Sequence, residues 1–174
     1  MFYLKENAIA IREFTADDIE NKVKWINDDA NNQYLHYDIP LCKEKTLLWF
    51  KSKAKNRLDC IIEYDGTPVG LIGLIGIDET NRKAEFYISM GRTDFKRKGI
   101  ATIATKILLK YAFGTLGLIK VFLHVDEENM AARGLYEKIG FTLEGRFIKD
   151  MFHRGELINR CRYAIFSENM EELA

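Results

Sequence analysis

The residues Phe95-Lys96-Arg97-Lys98-Gly99-Ile100-Ala101-Thr102 join three cations and a glycine to the start of an apolar-periodic segment. If that segment opens a helix, its first backbone N–H groups lack intrahelical partners and carry partial positive charge. Such amides, with Lys and Arg beside them, suit a doubly charged pyrophosphate. Gly99 has no Cβ, so a ligand can approach its backbone closely. Taken alone, the same run reads as a solvated turn with a basic surface; its context changes that reading.

A second constellation lies thirty residues beyond Gly99: Asn129-Met130-Ala131-Ala132-Arg133-Gly134-Leu135-Tyr136-Glu137-Lys138-Ile139-Gly140-Phe141. Together with Lys96-x-x-Gly99-x-Ala101, in this order and at this separation, it resembles the GNAT family of acetyl-CoA-dependent N-acetyltransferases. The family's phosphate loop is usually Gln/Arg-x-x-Gly-x-Gly/Ala. Its second signature is an Asn followed by a Leu-Tyr-Glu-Lys-x-Gly-Phe run. The resemblance covers roughly Ile9 to Phe166. One departure is that Lys96 stands where Gln or Arg is usual, a point charge in place of a planar fork.

The resemblance implies an α/β (α+β) sandwich, with a mixed, mostly antiparallel central sheet flanked by helices. It implies acetyl-CoA as cosubstrate and no metal. By the same resemblance, Lys96, Arg97, Lys98, Gly99, Ile100, Ala101 and Thr102 hold the cofactor's phosphates. Backbone groups of Ile88, Ser89 and Met90 would pair with its pantetheine arm and polarise the carbonyl. Asn129 would meet that arm too, and Tyr136, also against the cofactor, would be the general acid.

Transfer of an acetyl group from a thioester needs a neutral amine, a polarised carbonyl and a proton for the leaving thiolate. Asn129 and Tyr136 are seven residues apart, two helical turns and so nearly one face. A phenol ordinarily titrates near about 10 and a thiol near about 8.5, so proton transfer between them is modestly uphill unless the site shifts one. The competing reading makes Tyr136 a packing residue and Asn129 an N-cap. Glu85, on an alternating strand, is the candidate base for the amine. A glutamate in water is a feeble base, so burial would have to strengthen it; the competing reading is an ion pair with a neighbouring Lys or Arg. His36, His124 and His153 show no metal spacing, and His124 reads as a structural strand residue. A covalent route through Cys60 or Cys161 lacks the adjoining cations that activate a thiol.

The acceptor pocket falls, by the resemblance, on Trp25 to Leu41 and Lys149 to Arg160. Asp28, Asp29, Asp38, Tyr34, His36 and Tyr37 form an acidic and aromatic set that suits a cationic amine, or equally a solvated loop with Asp as turn former. The tail Gly155-Glu156-x-x-Asn159-x-x-Arg162 resembles the ribosomal-protein N-terminal and spermidine acetyltransferases. The segment Trp25 to Phe50 looks closer to enzymes acting on amino groups of nucleotide-linked sugars. The expected function is acetyl transfer to a primary amine of a small polar molecule, an amino sugar or polyamine, by direct attack in a ternary complex. The alternatives are a protein N-terminal acetyltransferase and a non-catalytic acyl-CoA-binding sensor. A sensor would need neither Tyr136 nor Glu85.

The elements that must position these groups are legible as patterns. The 174 residues are 47% hydrophobic and 30% charged, which bounds the chain to one ordinary globular domain over 1–174. Lys+Arg and Asp+Glu are both 26. That balance argues against nucleic acid as partner. Three widely spaced cysteines suit reduced thiols in a cytoplasm. No leader-like or membrane-spanning run is present, so the partners expected are a small-molecule amine and, at most, a second copy in a homodimer.

Ile9–Phe14 reads as a strand and Thr15 as the N-cap of a helix with Ile19, Val23 and Ile26 inward. Asp28 to Pro40 is irregular. Lys43–Lys55 reads as a helix with Leu47, Leu48 and Phe50 partly buried. Asp59–Tyr64 and Pro68–Asp78 form a hairpin across Asp65-Gly66. Gly70, Gly73 and Gly76 mark a bulged or closely packed strand. In Lys83–Met90, Ala84, Phe86, Ile88 and Met90 face one way and Glu85, Tyr87 and Ser89 the other. A helix over Gly99–Phe113, a strand over Ile119–Val125 and a helix over Asn129–Ile139 with Gly140 as αL cap follow. The final hairpin turns at Arg154-Gly155.

Overall fold

The computed structural model describes residues 2–169. Eight strands and four α-helices follow one another as β1 (Tyr3–Glu6), β2 (Ile9–Glu13), α1 (Ile19–Asn27), α2 (Lys43–Ser52), β3 (Leu58–Tyr64), β4 (Thr67–Asp78), β5 (Lys83–Met90), α3 (Ile100–Gly114), β6 (Lys120–Asp126), α4 (Met130–Ile139), β7 (Thr142–His153) and β8 (Glu156–Phe166). The strands hydrogen-bond in the order β1-β2-β3-β4-β5-β6-β8-β7. β5 and β6 run parallel, while β1/β2, β2/β3, β3/β4, β6/β8 and β7/β8 are antiparallel. The mixed α/β class expected from the resemblance is the one observed.

The chain divides into two compact units, Met1–Gly76 with Tyr87–Leu108, and Ile77–Phe86 with Leu109–Ala174. In the first, β1 to β4 form a meander. Its tight turn at Asp65-Gly66 has φ of 46° and 75°, the left-handed pair that matches strand twist in a two-residue hairpin. The core gathers Phe14, Ile19, Trp25, Ile26, Ile61 and Leu71, with Val23, Leu47, Trp49, Phe50 and Tyr87 against them. Thr15 and Asp18 make the entry to α1: the Asp18 carboxylate accepts from the Thr15 N–H (2.9 Å) and from Arg12.

A polar knot sits within this core. Asp59, buried on β3, accepts from Arg57 at both oxygens (2.8 and 2.6 Å) and from the Tyr87 hydroxyl (2.7 Å), with Lys53 Nζ at 3.4 Å. Burial alone pushes a carboxyl up, but the Arg57 and Tyr87 hydrogen bonds and the charges of Arg57 and Lys53 outweigh it and hold Asp59 below its usual range.

Gly70 and Gly73 of β4 serve close packing, whereas Gly76 has open space around it and takes a left-handed backbone, φ 59°. A Cβ on Gly70 would come within 2.7 Å of the Ser89 carbonyl oxygen. One on Gly73 would press on the Leu58 carbonyl and reach within 2.5 Å of the Tyr87 ring. Gly73→Ala should therefore lower stability by about 1–3 kcal/mol, as overpacking does. Calorimetric melting checks this; an unchanged Tm would mean that Tyr87 and β3 give way freely.

In the second unit β6 is central, paired with the start of β5 on one side and with β8 on the other. β7 is the outer strand. Its turn to β8, Arg154-Gly155, again has two positive φ values, 50° and 89°. α4 is capped as its sequence implies: Asn129 Oδ1 accepts from Ala132 N–H (3.2 Å), and Gly140 ends the helix at φ 114°.

Several expectations need correction. β1 precedes the first expected strand, and its residues are mostly exposed, so no burial pattern marks it. α2 stops at Ser52, and Leu48 is 65% exposed rather than partly buried, because Leu47, Trp49 and Phe50 supply the contacts to the core. α1 buries Lys22 and Trp25 besides Ile19 and Ile26. The strand expected from Ile119 starts at Lys120, and Ile119 is exposed.

Candidate active site

The basic loop does open a helix. After a short 3-10 turn at Thr93–Phe95 the chain passes through Arg97 (φ 62°) and Gly99 (φ 74°) into the fifteen-residue α3. Two left-handed residues flanking Lys98 fold the backbone into a concavity of the kind that gathers N–H groups around an anion. The Gly99 carbonyl already accepts from Ile103 N–H (3.1 Å), so the N–H groups of the first helical turn, Ile100 to Thr102, point out of the helix end. A Cβ on Gly99 would touch no protein atom within 4 Å. The cradle is open and its residues fit a pyrophosphate.

The three cations differ in role. Lys96 Nζ donates to the Ala30 carbonyl (3.2 Å), anchoring the loop. Lys98 lies 4.8 Å from the Phe95 ring centroid. Arg97 is exposed.

An asparagine at position 99 tolerates positive φ better than most residues. Gly99→Asn thus preserves the loop while placing a side chain where a phosphate would lie. Affinity for CoA should fall tenfold or more, equivalent to about 1.4 kcal/mol. Unchanged calorimetric binding in this variant would remove the loop from the phosphate site.

The backbone of β5 is divided between its neighbours. The Gly91 N–H donates to Val69 O (2.9 Å), and the Ser89 carbonyl is turned toward Gly70. Alternation then turns the backbone groups of Ile88 and Met90 to the other edge. The ladder to β6 ends at the pair Glu85↔Phe122, short of both residues. Of the three expected pantetheine contacts, Ile88 and Met90 present backbone groups on that edge; Ser89 spends its carbonyl toward β4.

Tyr136 sits on the buried face of α4, 7% exposed. Its ring meets Phe86 edge-on (centroids 6.2 Å apart) and Phe141 (5.7 Å). Burial pushes its phenol well above the usual value. No described side chain or backbone group engages its hydroxyl, so the proton stays bound and is free to be donated. Asn129 is committed through Oδ1 to its helix cap, which leaves its amide N–H groups for a ligand.

Glu85 has a partner that sequence spacing did not indicate. Its Oε1 lies 2.8 Å from His124 Nδ1. The parallel register places Glu85 beside Phe122, and His124 follows two residues along on the same face. Phe122 and Phe147 hold the imidazole edge-to-face at 5.9 and 5.7 Å. A carboxylate accepting from Nδ1–H leaves Nε2 as a proton acceptor. Glu85 is therefore half of a carboxylate–imidazole pair rather than one end of an ion pair with Lys or Arg.

Among the acidic residues of the first irregular segment, Asp28 Oδ1 accepts from the Ala30 N–H (2.9 Å) and Asp29 Oδ1 from Asn32 Nδ2 (3.3 Å). Both act as turn formers. Asp28 also lines a cleft of about 510 Å³ with Lys24, Trp25, Arg92 and Asp94, whose mixed charges do not select an amine. Asp38 is exposed. Cys60 and Cys161 are buried, and burial pushes the Cys60 thiol up, away from nucleophilic use. Among the described residues no cluster of His, Cys, Asp and Glu could hold a metal, and no helix is long and apolar enough to cross a membrane.

Residues 9–142 match the family model described as an acetyltransferase (GNAT) domain, and the chain belongs to that family. It is similar to the spermidine N(1)-acetyltransferase of Escherichia coli K12, 39% identical over 106 residues, which span 61% of this chain and 56% of that one. The matched stretch is thus little more than half of that relative's length. It is also 32% identical over 116 residues, 67% of this chain and 63% of the other, to Bacillus subtilis YdaF, provisionally named a ribosomal N-acetyltransferase. The fold superposes on the spermidine N-acetyltransferase of Vibrio cholerae in complex with CoA and spermine with a TM-score of 0.86, at 26% identity, covering 95% of this chain and 99% of that one. A dodecameric structure of the Vibrio cholerae enzyme superposes too, with a TM-score of 0.80.

Proposed function

We propose that the chain is an acetyl-CoA-dependent N-acetyltransferase acting on a primary amine of a small polar molecule, by direct attack within a ternary complex. The observation that carries this reading is Tyr136, a buried phenol whose proton is held firmly and committed to no acceptor. A protein that merely sensed an acyl-CoA would have no use for it.

In this reading Arg97, Gly99 and the N–H groups of Ile100, Ala101 and Thr102 hold the phosphates, with Lys98 adding charge and Lys96 fixing the loop. Backbone groups of Ile88 and Met90 orient the thioester, and Asn129 meets the pantetheine arm. The amine nitrogen attacks the carbonyl carbon, and its proton passes to the Glu85–His124 pair. As the C–S bond breaks, the Tyr136 hydroxyl gives its proton to the sulfur. The apolar surroundings that raise the phenol also raise a thiol, so burial does not by itself make this transfer more uphill. The two compact units are read as one GNAT domain over 1–174, working in the cytoplasm. The relatives' names favour a polyamine over an amino sugar as acceptor, and the dodecameric relative favours self-association.

The test is thiol release from acetyl-CoA with spermidine, an amino-sugar nucleotide and a peptide with a free N-terminus. Preference for the peptide by more than tenfold in kcat/KM would overturn the small-molecule reading. CoA binding with no release for any amine would point to a sensor.

A further inference from the structure

Asn159, part of the Gly155-Glu156-x-x-Asn159 run, has no role in the reaction described above. It lies on β8 where the ladders on both sides become irregular. The pairing with β6 ends one residue later in sequence, at Asp126↔Arg160. On the β7 side the register passes from Phe147↔Arg160 to Met151↔Ile158, so Ile148, Lys149 and Asp150 stand against Asn159 alone. Lys149 takes a left-handed backbone there, φ 53°. A ladder cannot pair three residues with one, and the side chain serves in its place. A side-chain amide carries a donor and an acceptor, as a peptide group does. Asn159 Oδ1 accepts from the Lys149 N–H (2.9 Å). Asn159 Nδ2 donates to Glu127 Oε2 (2.9 Å), and the Asn159 carbonyl accepts from the Glu127 N–H (3.0 Å). The Glu127 carboxylate also accepts from Arg146 of β7, through Nε and through Nη2 (2.8 Å). The Glu127 carbonyl accepts from Arg133 Nη1 of α4 (3.0 Å). The Arg146 and Asn159 hydrogen bonds hold the Glu127 carboxyl down to about 2, so it stays ionised at neutral pH. Every residue of this network belongs to the second compact unit.

We propose that Asn159 is a positioning residue for the cosubstrate: through Glu127 it fixes the loop between β6 and α4, and with it the Asn129 amide that meets the pantetheine arm. This rests on the acetyl-transfer reading, in which Asn129 has that contact, and deepens it. The loop runs only from Glu127 to Asn129, so a shift at its first residue reaches its last. Within the loop, the Asn129 N–H donates to the Asp126 carbonyl (3.0 Å) and Asn129 Oδ1 caps α4. Those bonds set the local shape, whereas the bonds from Asn159 and Arg133 hold the loop against β8 and α4. Of the two side chains on the Glu127 carboxylate, Arg146 is exposed and Asn159 half-buried. The exposed pair is screened by water, which leaves Asn159 as the firmer hold. The residue type follows from the neighbours. An aspartate at this position would lack the N–H donor and set a second carboxylate beside Glu127.

The experiment compares calorimetric Kd for two ligands: acetyl-CoA, and adenosine 3′-phosphate 5′-diphosphate, the part of CoA that lacks pantetheine. The basic loop at Gly99, assigned to the phosphates, belongs to the other compact unit and shares none of these bonds. Asn159→Asp keeps the acceptor for Lys149 and removes the donor to Glu127. It should weaken acetyl-CoA about tenfold, the scale of one hydrogen bond to a charged group, and leave the fragment unchanged. The double variant Glu127→Gln with Asn159→Asp exchanges amide and carboxylate, restores a donor–acceptor pair, and should recover part of the loss. Where Asn159→Asp does not fold, Glu127→Ala should show the same split between the two ligands. A folded variant that loses affinity for both ligands alike, or for neither, overturns the proposal. So does a double variant that binds acetyl-CoA no more tightly than Asn159→Asp. Thiol release across the amine panel separates this proposal from the reading on which it rests. A split in affinity with no release for any amine removes the transfer and keeps the positioning. Release in Asn159→Asp at the wild-type KM for acetyl-CoA removes the positioning and keeps the transfer.

Discussion

Tyr136→Phe should lower kcat by about 10²-fold or more, the usual range for losing a positioned general acid. KM for acetyl-CoA should change little. The substitution suits the site because the hydroxyl is the one part of Tyr136 with no structural employment. The ring packs on Phe86 and Phe141, and phenylalanine preserves those contacts. The melting temperature should therefore stay near that of wild type. Single-turnover measurement with acetyl-CoA in excess would locate the loss in the chemical step. A variant that turns over at the wild-type rate would reduce Tyr136 to a packing residue.

The largest effect on stability is expected at Asp59. Asp59→Ala would leave Arg57 and Lys53 half-buried without their counter-charge and the Tyr87 hydroxyl without its acceptor. Breaking a buried ion pair from one side costs about 3–5 kcal/mol, and the partial exposure of Arg57 and Lys53 places this case near the lower end. In a chain of this size about 3 kcal/mol corresponds to roughly 10 °C in Tm. The effect has a definite pH dependence. The folded carboxyl titrates below its unfolded value, so the ionised form is the one that folding favours. Its stabilisation is fully present above the unfolded value, near about 3.9, and is lost as pH falls through the lower, folded one. Wild type and Asp59→Ala should therefore converge in Tm as pH is lowered below about 4. A gap that stayed constant from pH 7 to pH 3 would show that Asp59 contributes shape and not charge.

Much of the site could be read from the chain because its parts are local. A glycine before an apolar-periodic run, an Asn at the head of a helix and a Gly at its end each act within a few residues. The hairpins at Asp65-Gly66 and Arg154-Gly155 needed no distant partner either. What stayed hidden depends on residues far apart in sequence. Glu85 meets His124 only through the parallel register of β5 and β6. Asp59 meets Tyr87 across 28 positions. Lys22 gave no signal at all, since a lysine within an amphipathic helix ordinarily faces water; only the convergence of Phe14, Tyr37 and Trp49 around it reverses that. The acidic set near Asp28 misled for the converse reason. Aspartate serves turns as readily as ligands, and composition does not distinguish the two.

The two buried cysteines have a use unrelated to catalysis. Cys60 lies within β3 of the first unit and Cys161 within β8 of the second. Neither can be alkylated while its ladder is closed, so each modification must wait for a local opening. The rate at which a thiol reagent consumes each one therefore measures the opening free energy of its own unit. Mass spectrometry of the two peptides would report both values from one unaltered protein. Cys42, half-buried at the head of α2, would provide the fast reference.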